Sequence, residues 1–369
     1  MSELLFDLTL SEEQRISRES LRRFAEQEIR PIARAADEAG RPPEGFYDQT
    51  AELGLSLMPI PEAYGGAGIG RSPISNVLNA EDLGYGDMSL ALGVLSPLGF
   101  INAVLDFGSE DQQEKYLTPL ASEHFKAASV AIMEPRATFE PAELQTKAIC
   151  EGEGYVLNGV KSMVALAESA EFILVIADLD GDGPAGFIVE KGAAGLSIRS
   201  DSFMGLRPLS LSQITLENVF VPAHAKLQRE GVPFDVQRLV DLSAIGLCAI
   251  AVGCCEGVLD YVVPYVNDRV AFGEPISHRQ SVAFMVANIA IELDAMRLMV
   301  YRAASLAEQG LPFHKEAYLA QVLCAEKVME IGTNGVQLLG GHGFCREHPV
   351  EMWYRNLRAV GVLMGAAVV

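Results

Sequence analysis

The sequence predicts an α+β fold in three consecutive parts: a helical domain, a central β-sheet domain and a C-terminal four-helix bundle. Three observations predict it. A capping box, Ser11 with Gln14, opens a long charged helical stretch. Short apolar runs separated by turn signals then fill residues 127–225. Long helical patterns return from about Pro233. At about 150 residues per domain, 369 residues fit two or three domains, here 1–126, 127–232 and 233–369. The order is not the strand–helix alternation of a doubly wound nucleotide-binding fold.

Taken in order, the first helical pattern ends near Pro31, because proline lacks the N–H a helix interior needs. A loop from Pro59 to Gly66 follows the second helical stretch, and two more helices run from about Ala80 to Leu120. In the β part, Asn158-Gly159 reads as a type I′ hairpin turn. Phe172–Ala177 and Gly186–Val189 read as strands around an Asp/Gly turn, and Ile214, Leu216, Val219 and Val221 mark a strand ending at Pro222. The last part reads as helices over 236–268, 278–309, 313–339 and 347–365.

Composition excludes several function classes. The net charge of −21, with a pI near 4.7, repels a phosphate backbone, so nucleic acid is not expected as a partner. With 49% hydrophobic and 21% charged residues, the chain is expected to fold. The uncharged run Leu242 to Cys255 is 14 residues, short of the roughly 20 that a membrane span needs, so no span is expected. The acidic start Met1 to Arg15 has no basic, apolar leader pattern. Six scattered cysteines read as reduced thiols, and a cytoplasmic location is expected.

No histidine sits at metal-ligand spacing with Cys or an acid, so no metal site is predicted. Gly66-Ala67-Gly68-Ile69-Gly70 follows a helical segment and reads as a surface turn. Asp178 to Gly183 begins like a calcium loop, but Val189 stands where that loop needs a bidentate Glu; a hairpin turn is the better reading. Two clusters are more specific. Arg269 to Gly273, with Gln280 seven residues after the glycine, places a phosphate-pairing guanidinium near an amide. Gln337 to Phe344 contains Gly340, Gly341 and Gly343, where a backbone can approach a ligand closely. A helix C-cap with a solvated arginine explains the same residues, and the two readings stand side by side.

Eight collinear motifs resemble the acyl-CoA dehydrogenase family. They are Leu10 to Gln14, Tyr64-Gly65-Gly66, Glu134-Pro135, Asn158 to Lys161, Met204 to Arg207, Arg269 to Gly273, Gln337 to Phe344 and Tyr354 to Arg358. The resemblance implies a FAD enzyme that forms a 2-enoyl-CoA from an acyl-CoA and hands electrons to an electron-transfer flavoprotein. In such enzymes a Glu removes the α-proton while a hydride leaves the β-carbon. It also implies a tetramer in which each FAD is shared: one subunit's β domain holds the flavin, and a neighbour's helices hold the adenine and diphosphate. Arg269, Phe272, Gln280, Gln337, Gly340 and Gly341 match that second set.

Other positions depart from the family pattern. The usual catalytic Glu falls on Met364, and a thioether is no base in this role. The alternative base position falls on Ser243, followed by Ala244 where an Arg is common; Asp241 is the nearest carboxylate but lies about 200° around the helix. The flavin-cradling loop reads Glu134-Pro135-Arg136-Ala137-Thr138-Phe139-Glu140, without its two glycines and its Ser. The segment that packs on the flavin ring reads Met163-Val164-Ala165-Leu166, with Ala165 in place of a Thr.

The elements used in cis are lost and those given in trans are kept. The reading that follows is a half-site or non-catalytic subunit of a heteromeric acyl-CoA dehydrogenase, a heterotetramer with a homologous catalytic subunit. FAD would be shared with that partner. The resemblance associates such mixed assemblies with bulky acyl-CoA substrates, as in steroid side-chain as well as fatty acid metabolism. Two alternatives remain: an active homomer with an unorthodox base, and a flavin-free acyl-CoA-binding or scaffold protein. Arg207, Arg238 and Arg355 are candidates for a local basic patch facing the CoA phosphate. The apolar end Gly365 to Val369 must pack against something.

Overall fold

The computed structural model describes residues 9–137 and 139–365. The N-terminal part is helical. Helix α1 (Glu12–Phe24) starts at the expected capping box, with the Ser11 hydroxyl accepting from the Gln14 N–H and the Gln14 side chain accepting from the Ser11 N–H. The expected break near Pro31 does not occur. A π-helical turn at Ala25–Ile29 leads directly into α2 (Arg30–Ala39), so Pro31 falls in the first turn after the wide turn, where a missing N–H costs little. Short α3 (Phe46–Ala51) precedes α4 (Pro73–Gly86), α5 (Met88–Phe107) and α6 (Glu110–Leu117).

The central sheet holds seven strands: β1 (Ala128–Ala131), β2 (Lys147–Glu151), β3 (Gly154–Ala165), β4 (Phe172–Leu179), β5 (Pro184–Glu190), β6 (Leu196–Ser200) and β7 (Leu211–Pro222). Its order is β1-β4-β2-β3-β7-β6, with β5 also paired to β4. The β4–β5 turn at Asp180–Gly183 is the expected hairpin turn: Asp178 pairs with Lys147 and accepts from the Gly181 N–H. The Asn158-Gly159 hairpin is not present. Both residues lie inside β3, and the turn falls instead at Gly152-Glu153. Gly159 is needed because a Cβ there would sit 2.6 Å from the Thr146 Cα, at a register shift between β3 and β7.

The C-terminal part contains α7 (Val236–Asp268), α8 (Gln280–Glu308), α9 (His314–Leu338) and α10 (Val350–Leu357). The first three have the expected lengths. The fourth stretch is helical only over α10, with a 3₁₀ turn to Gly361. Helix α7 is apolar nearly all round and lies buried against α4, α8 and α9. Helix α5 packs on β1 and α7, joining the sheet to the helices.

Both α5 and α7 are long and apolar enough to cross a membrane by length and composition. The sequence reading passed over α5, which is uncharged from Met88 to Leu105. However, 94% and 89% of their apolar windows are buried inside the protein, as expected for core helices.

The α4–α7 crossing is set by glycine. A Cβ on Gly253 would lie 1.9 Å from the Glu81 carbonyl oxygen, and one on Gly84 would lie 2.2 Å from that of Ile250. Both contacts are with backbone, which cannot rotate away. Gly253→Ala should therefore lower stability by about 3 kcal/mol or more, read as a fall in the urea midpoint. Gly361→Ala, whose nearest contact would be an ordinary 4.0 Å, serves as the control and should change little.

Candidate functional site

The kept residues gather at one groove. Helix α7 ends at Arg269, and the chain turns through β8 (Val270–Ala271) and β9 (Glu274–Pro275) before α8 starts. Phe272 and Gly273, at the turn, both have positive φ, +57° and +87°, the signature of a type I′ turn. A phenylalanine rarely adopts that conformation, and its ring is 95% exposed. Opposite, α9 ends in Gln337 and Leu338, and Gly340 (φ +59°) leads into a 3₁₀ turn over Gly340–Phe344. Gly343 is fixed by packing, since a Cβ would meet the Val336 carbonyl oxygen at 2.1 Å.

The groove has a volume of about 870 Å³ and is lined by Arg269, Phe272, Gln337, Gly340 and Gly341. Five of the six residues singled out from sequence therefore come together. Gln280, the first residue of α8, is exposed beside the groove but does not line it. Tyr265 and Arg279 are among the lining residues that were missed, and His342, inside the Gln337–Phe344 run, was not singled out there. Tyr265 stands one helical turn before Arg269, and Arg279 immediately precedes Gln280, so proximity to the motif was the available signal. Arg279 lies over Phe272 (5.7 Å) and pairs with Glu274 (3.1 Å).

This groove fits the adenine and diphosphate half of FAD. Cβ atoms built on Gly340 and Gly341 meet nothing within 4 Å, so open space reaches the backbone there. Two guanidiniums, one amide and exposed aromatic rings suit a diphosphate joined to a base.

The cis half is different. Arg136 folds back on its own loop and donates to the carbonyl oxygens of Glu140 (3.2 Å) and Glu143. Its guanidinium also lies over Phe139 (5.5 Å). Thr138 lies outside the described residues. Ala165, Leu166 and Ala167 are buried. Met163 and Leu166 both hold positive φ, +54° and +55°, so the backbone is strained where the family pattern places its flavin-packing residues. Arg136 is thus tied to its own loop, and the two glycines, the Ser and the Thr of the family pattern are absent here.

Beneath the loop lies a buried ion pair. Glu134 accepts from the Gln145 and Thr146 N–H groups and from Lys161 Nζ (3.1 Å), which also donates to the Ile132 carbonyl (2.9 Å). Burial drives the Lys161 ammonium down to about 8, partly opposed by Glu134. Burial raises the Glu134 carboxyl, but the two N–H donors and Lys161 outweigh it and hold it below its ordinary value.

The two base positions meet at one point. The Ser243 hydroxyl accepts from the Gly365 N–H (2.8 Å), and the Met364 N–H points at the Met133 sulfur (3.2 Å). Neither residue is placed to take a proton from carbon. Asp241, weighed as a replacement, is buried and engaged by Gln237 Nε2 (2.9 Å) and His314 Nδ1 (2.9 Å). The three arginines do not form one patch. Arg355 chelates Asp37 and Arg207 lies 3.8 Å from the same carboxylate, whereas Arg238 faces Asp106 and Phe313. Of the apolar C-terminal end, residues 366–369 lie outside the described part. All six cysteines are free and, among the described residues, no His/Cys/acid group could hold a metal.

The Glu134–Lys161 pair gives a pH test. The unfolded chain binds the lysine proton more tightly, so stability from this group rises as pH climbs from about 8 towards 10.5. Lys161→Met should lose that rise and cost about 3 kcal/mol at neutral pH by stranding Glu134. Urea midpoints across that pH window, wild type against variant, check it; parallel profiles would contradict the assignment.

Three family profiles match in sequence order: "Acyl-CoA dehydrogenase, N-terminal domain" over 11–124, the middle domain over 129–219 and the C-terminal domain over 230–369. The short-chain specific acyl-CoA dehydrogenase of Clostridium acetobutylicum is 31% identical, over 98% of this chain and 97% of its own. The butyryl-CoA dehydrogenase of Megasphaera elsdenii superposes with a TM-score of 0.88 at 29% identity, covering 96% of this chain and 95% of its own. A FAD complex of the protein PigA superposes at 0.89 and 25% identity, covering 97% and 95%. The chain therefore belongs to the acyl-CoA dehydrogenase family, in all three of its domains.

Proposed function

We propose that this chain is a half-site subunit of a heteromeric, FAD-dependent acyl-CoA dehydrogenase. The single observation that carries the proposal is the asymmetry between the open groove at Arg269, Phe272, Gln337, Gly340 and Gly341 and the altered segments around Arg136, Phe139 and Ala165, where Arg136 is tied to its own loop. A homologous partner subunit would hold the flavin ring and supply the base. This chain would hold the far half of that FAD: Arg269 on the diphosphate, Gln337 and the Gly340-Gly341 backbone beside it, with Gln280 close by. Bound FAD would supply the hydride-accepting chemistry for α,β-dehydrogenation of an acyl-CoA in the partner's site. An electron-transfer flavoprotein is the proposed electron acceptor and the cytoplasm the proposed location.

Distance supports sharing. Ser243 and Arg269 lie 26 residues apart along α7 and its C-cap, about 39 Å at 1.5 Å per residue. The two ends of α7 therefore do not meet at one FAD. An exposed apolar stripe supports assembly: Phe284, Ile291 and Leu298 recur every seven residues along α8, and Tyr318, Leu319 and Val322 are exposed on α9.

The test is absorbance near 450 nm. The chain purified alone should be colourless. Co-expressed with an acyl-CoA dehydrogenase homologue from the same organism that keeps the catalytic Glu, it should co-purify as a yellow complex. Arg269→Ala should cut the flavin content of that complex several-fold. Met364→Glu in this chain should add no activity, because the loop at 134–140 and the segment at 163–166 stay altered. A yellow lone chain bleached by acyl-CoA would overturn the proposal in favour of an active homomer; a colourless chain under both conditions would favour a flavin-free binding protein.

A further inference from the structure

We infer that His342 is a proton-dependent anion contact in the groove, taking up a proton when a diphosphate binds. The inference rests on the reading that this groove receives a diphosphate, and it adds a residue that the motif comparison did not single out.

His342 is exposed and lines the groove beside Gly340 and Gly341. Its Nδ1 is held by the Tyr265 hydroxyl at 2.8 Å, which leaves Nε2 as its remaining polar atom. That hydroxyl has a second partner, the Leu339 carbonyl oxygen at 3.3 Å. The pair of contacts accommodates both charge states. With neutral imidazole, Tyr265 donates to Nδ1. With imidazolium, Nδ1–H donates to the Tyr265 oxygen, and the tyrosine proton turns to Leu339 O. Both ring nitrogens are then donors, and Nε2–H becomes a charge-assisted donor to an anion.

The surroundings make that proton conditional. The His342 ring stacks on His348 at 5.4 Å and 13°, and His348 Nδ1 is held by the Tyr261 hydroxyl at 2.7 Å. Two stacked imidazoles bring two potential cations together, and of the two it is His342 whose tyrosine partner has a second acceptor, Leu339 O. The other facing groups are these. Arg269 and Arg279 line the groove, and Arg279 is paired with Glu274, which also meets His278. Arg34 of α2 donates to the His348 carbonyl and is held by Glu351 of α10. Arg346, in the same loop, pairs with Glu38. Among the described residues neither imidazole is ion-paired with a carboxylate. Arg269 and Arg279 place like charge in the same groove. A bound anion reverses that balance, so binding and protonation favour each other. Histidine is the side chain suited to such a change between about pH 5 and 8.

The probe is ADP-ribose, whose diphosphate is a diester and keeps its charge across this range. Titration calorimetry with the full chain, at pH 6 and pH 8 and in two buffers of different ionisation enthalpy, reads affinity and proton uptake together. The expected result is binding about fivefold tighter at pH 6, with proton uptake; this is the low end of site coupling because the groove is open to solvent. His342→Asn should keep affinity at pH 8 and lose both the pH dependence and the uptake. Arg269→Ala should weaken binding at both pH values. If His342→Asn weakens binding equally at both, or if the wild type binds without pH dependence or uptake, the inference fails while the groove reading stands. If the wild type binds ADP-ribose at neither pH, the inference fails, while the shared-site reading is decided separately by the flavin content of the co-expressed complex.

Discussion

The close approach of α4 and α7 is the contact on which the rest of the structure depends. Helix α7 can lie against another helix's backbone only because Gly253 and Gly84 carry no side chain. That proximity buries Glu81 on α4, where it must be neutralised. Arg18 from α1, Arg297 from α8 and the Tyr301 hydroxyl converge on it at 3.3, 3.0 and 2.7 Å. Burial pushes the Glu81 carboxyl upward, and the two guanidiniums oppose that push. The pairs specify how α1, α4 and α8 meet, whereas the apolar burial of α7 supplies the driving force.

Once α7 is fixed, both halves of the candidate site are placed. Its first turns carry Asp241 and Ser243 under the C-terminal segment, and its last turns carry Tyr261, Tyr265 and Arg269 beside the glycine turn. One helix thus carries the two regions at its opposite ends, the first under the C-terminal segment and the second beside the glycine turn.

Much of this was legible in sequence because it depends on local rules. The Ser11 capping box, the Asp/Gly turn between β4 and β5 and the length of α7 follow from hydrogen bonding and periodicity within a few residues. The groove was legible because Arg269, Phe272 and the glycines occur in short ordered runs. What failed depended on partners distant in the chain. Gly159 looked like a turn but answers to Thr146 across a strand pair. Pro31 looked like a stop but is absorbed by a π-turn. Arg207, Arg238 and Arg355 looked like a basic patch, yet each faces a carboxylate far away in sequence. Arg279 and His342 stood beside or inside the motifs, but their place in one groove depends on two loops meeting in space.

Backbone strain gives one more argument about history and use. Phe272 keeps a left-handed conformation to present a fully exposed ring, and Met163 and Leu166 keep the same conformation where the ring-packing residues have gone. Such conformations cost about 1 kcal/mol or more each and persist only where surrounding structure enforces them. At Met163 the enforcer is the register shift between Lys161 and Val164 in the β3–β7 pair, and at Leu166, the first residue past β3, it is the backbone bond of its N–H to the Ser210 carbonyl (2.8 Å). At Phe272 only a two-residue hairpin stands behind the strain, and the ring gains nothing from its own chain beyond Arg279. The first pair is explained by the fold; the exposed phenylalanine stands at the edge of the open groove, with Arg269 and Gly340.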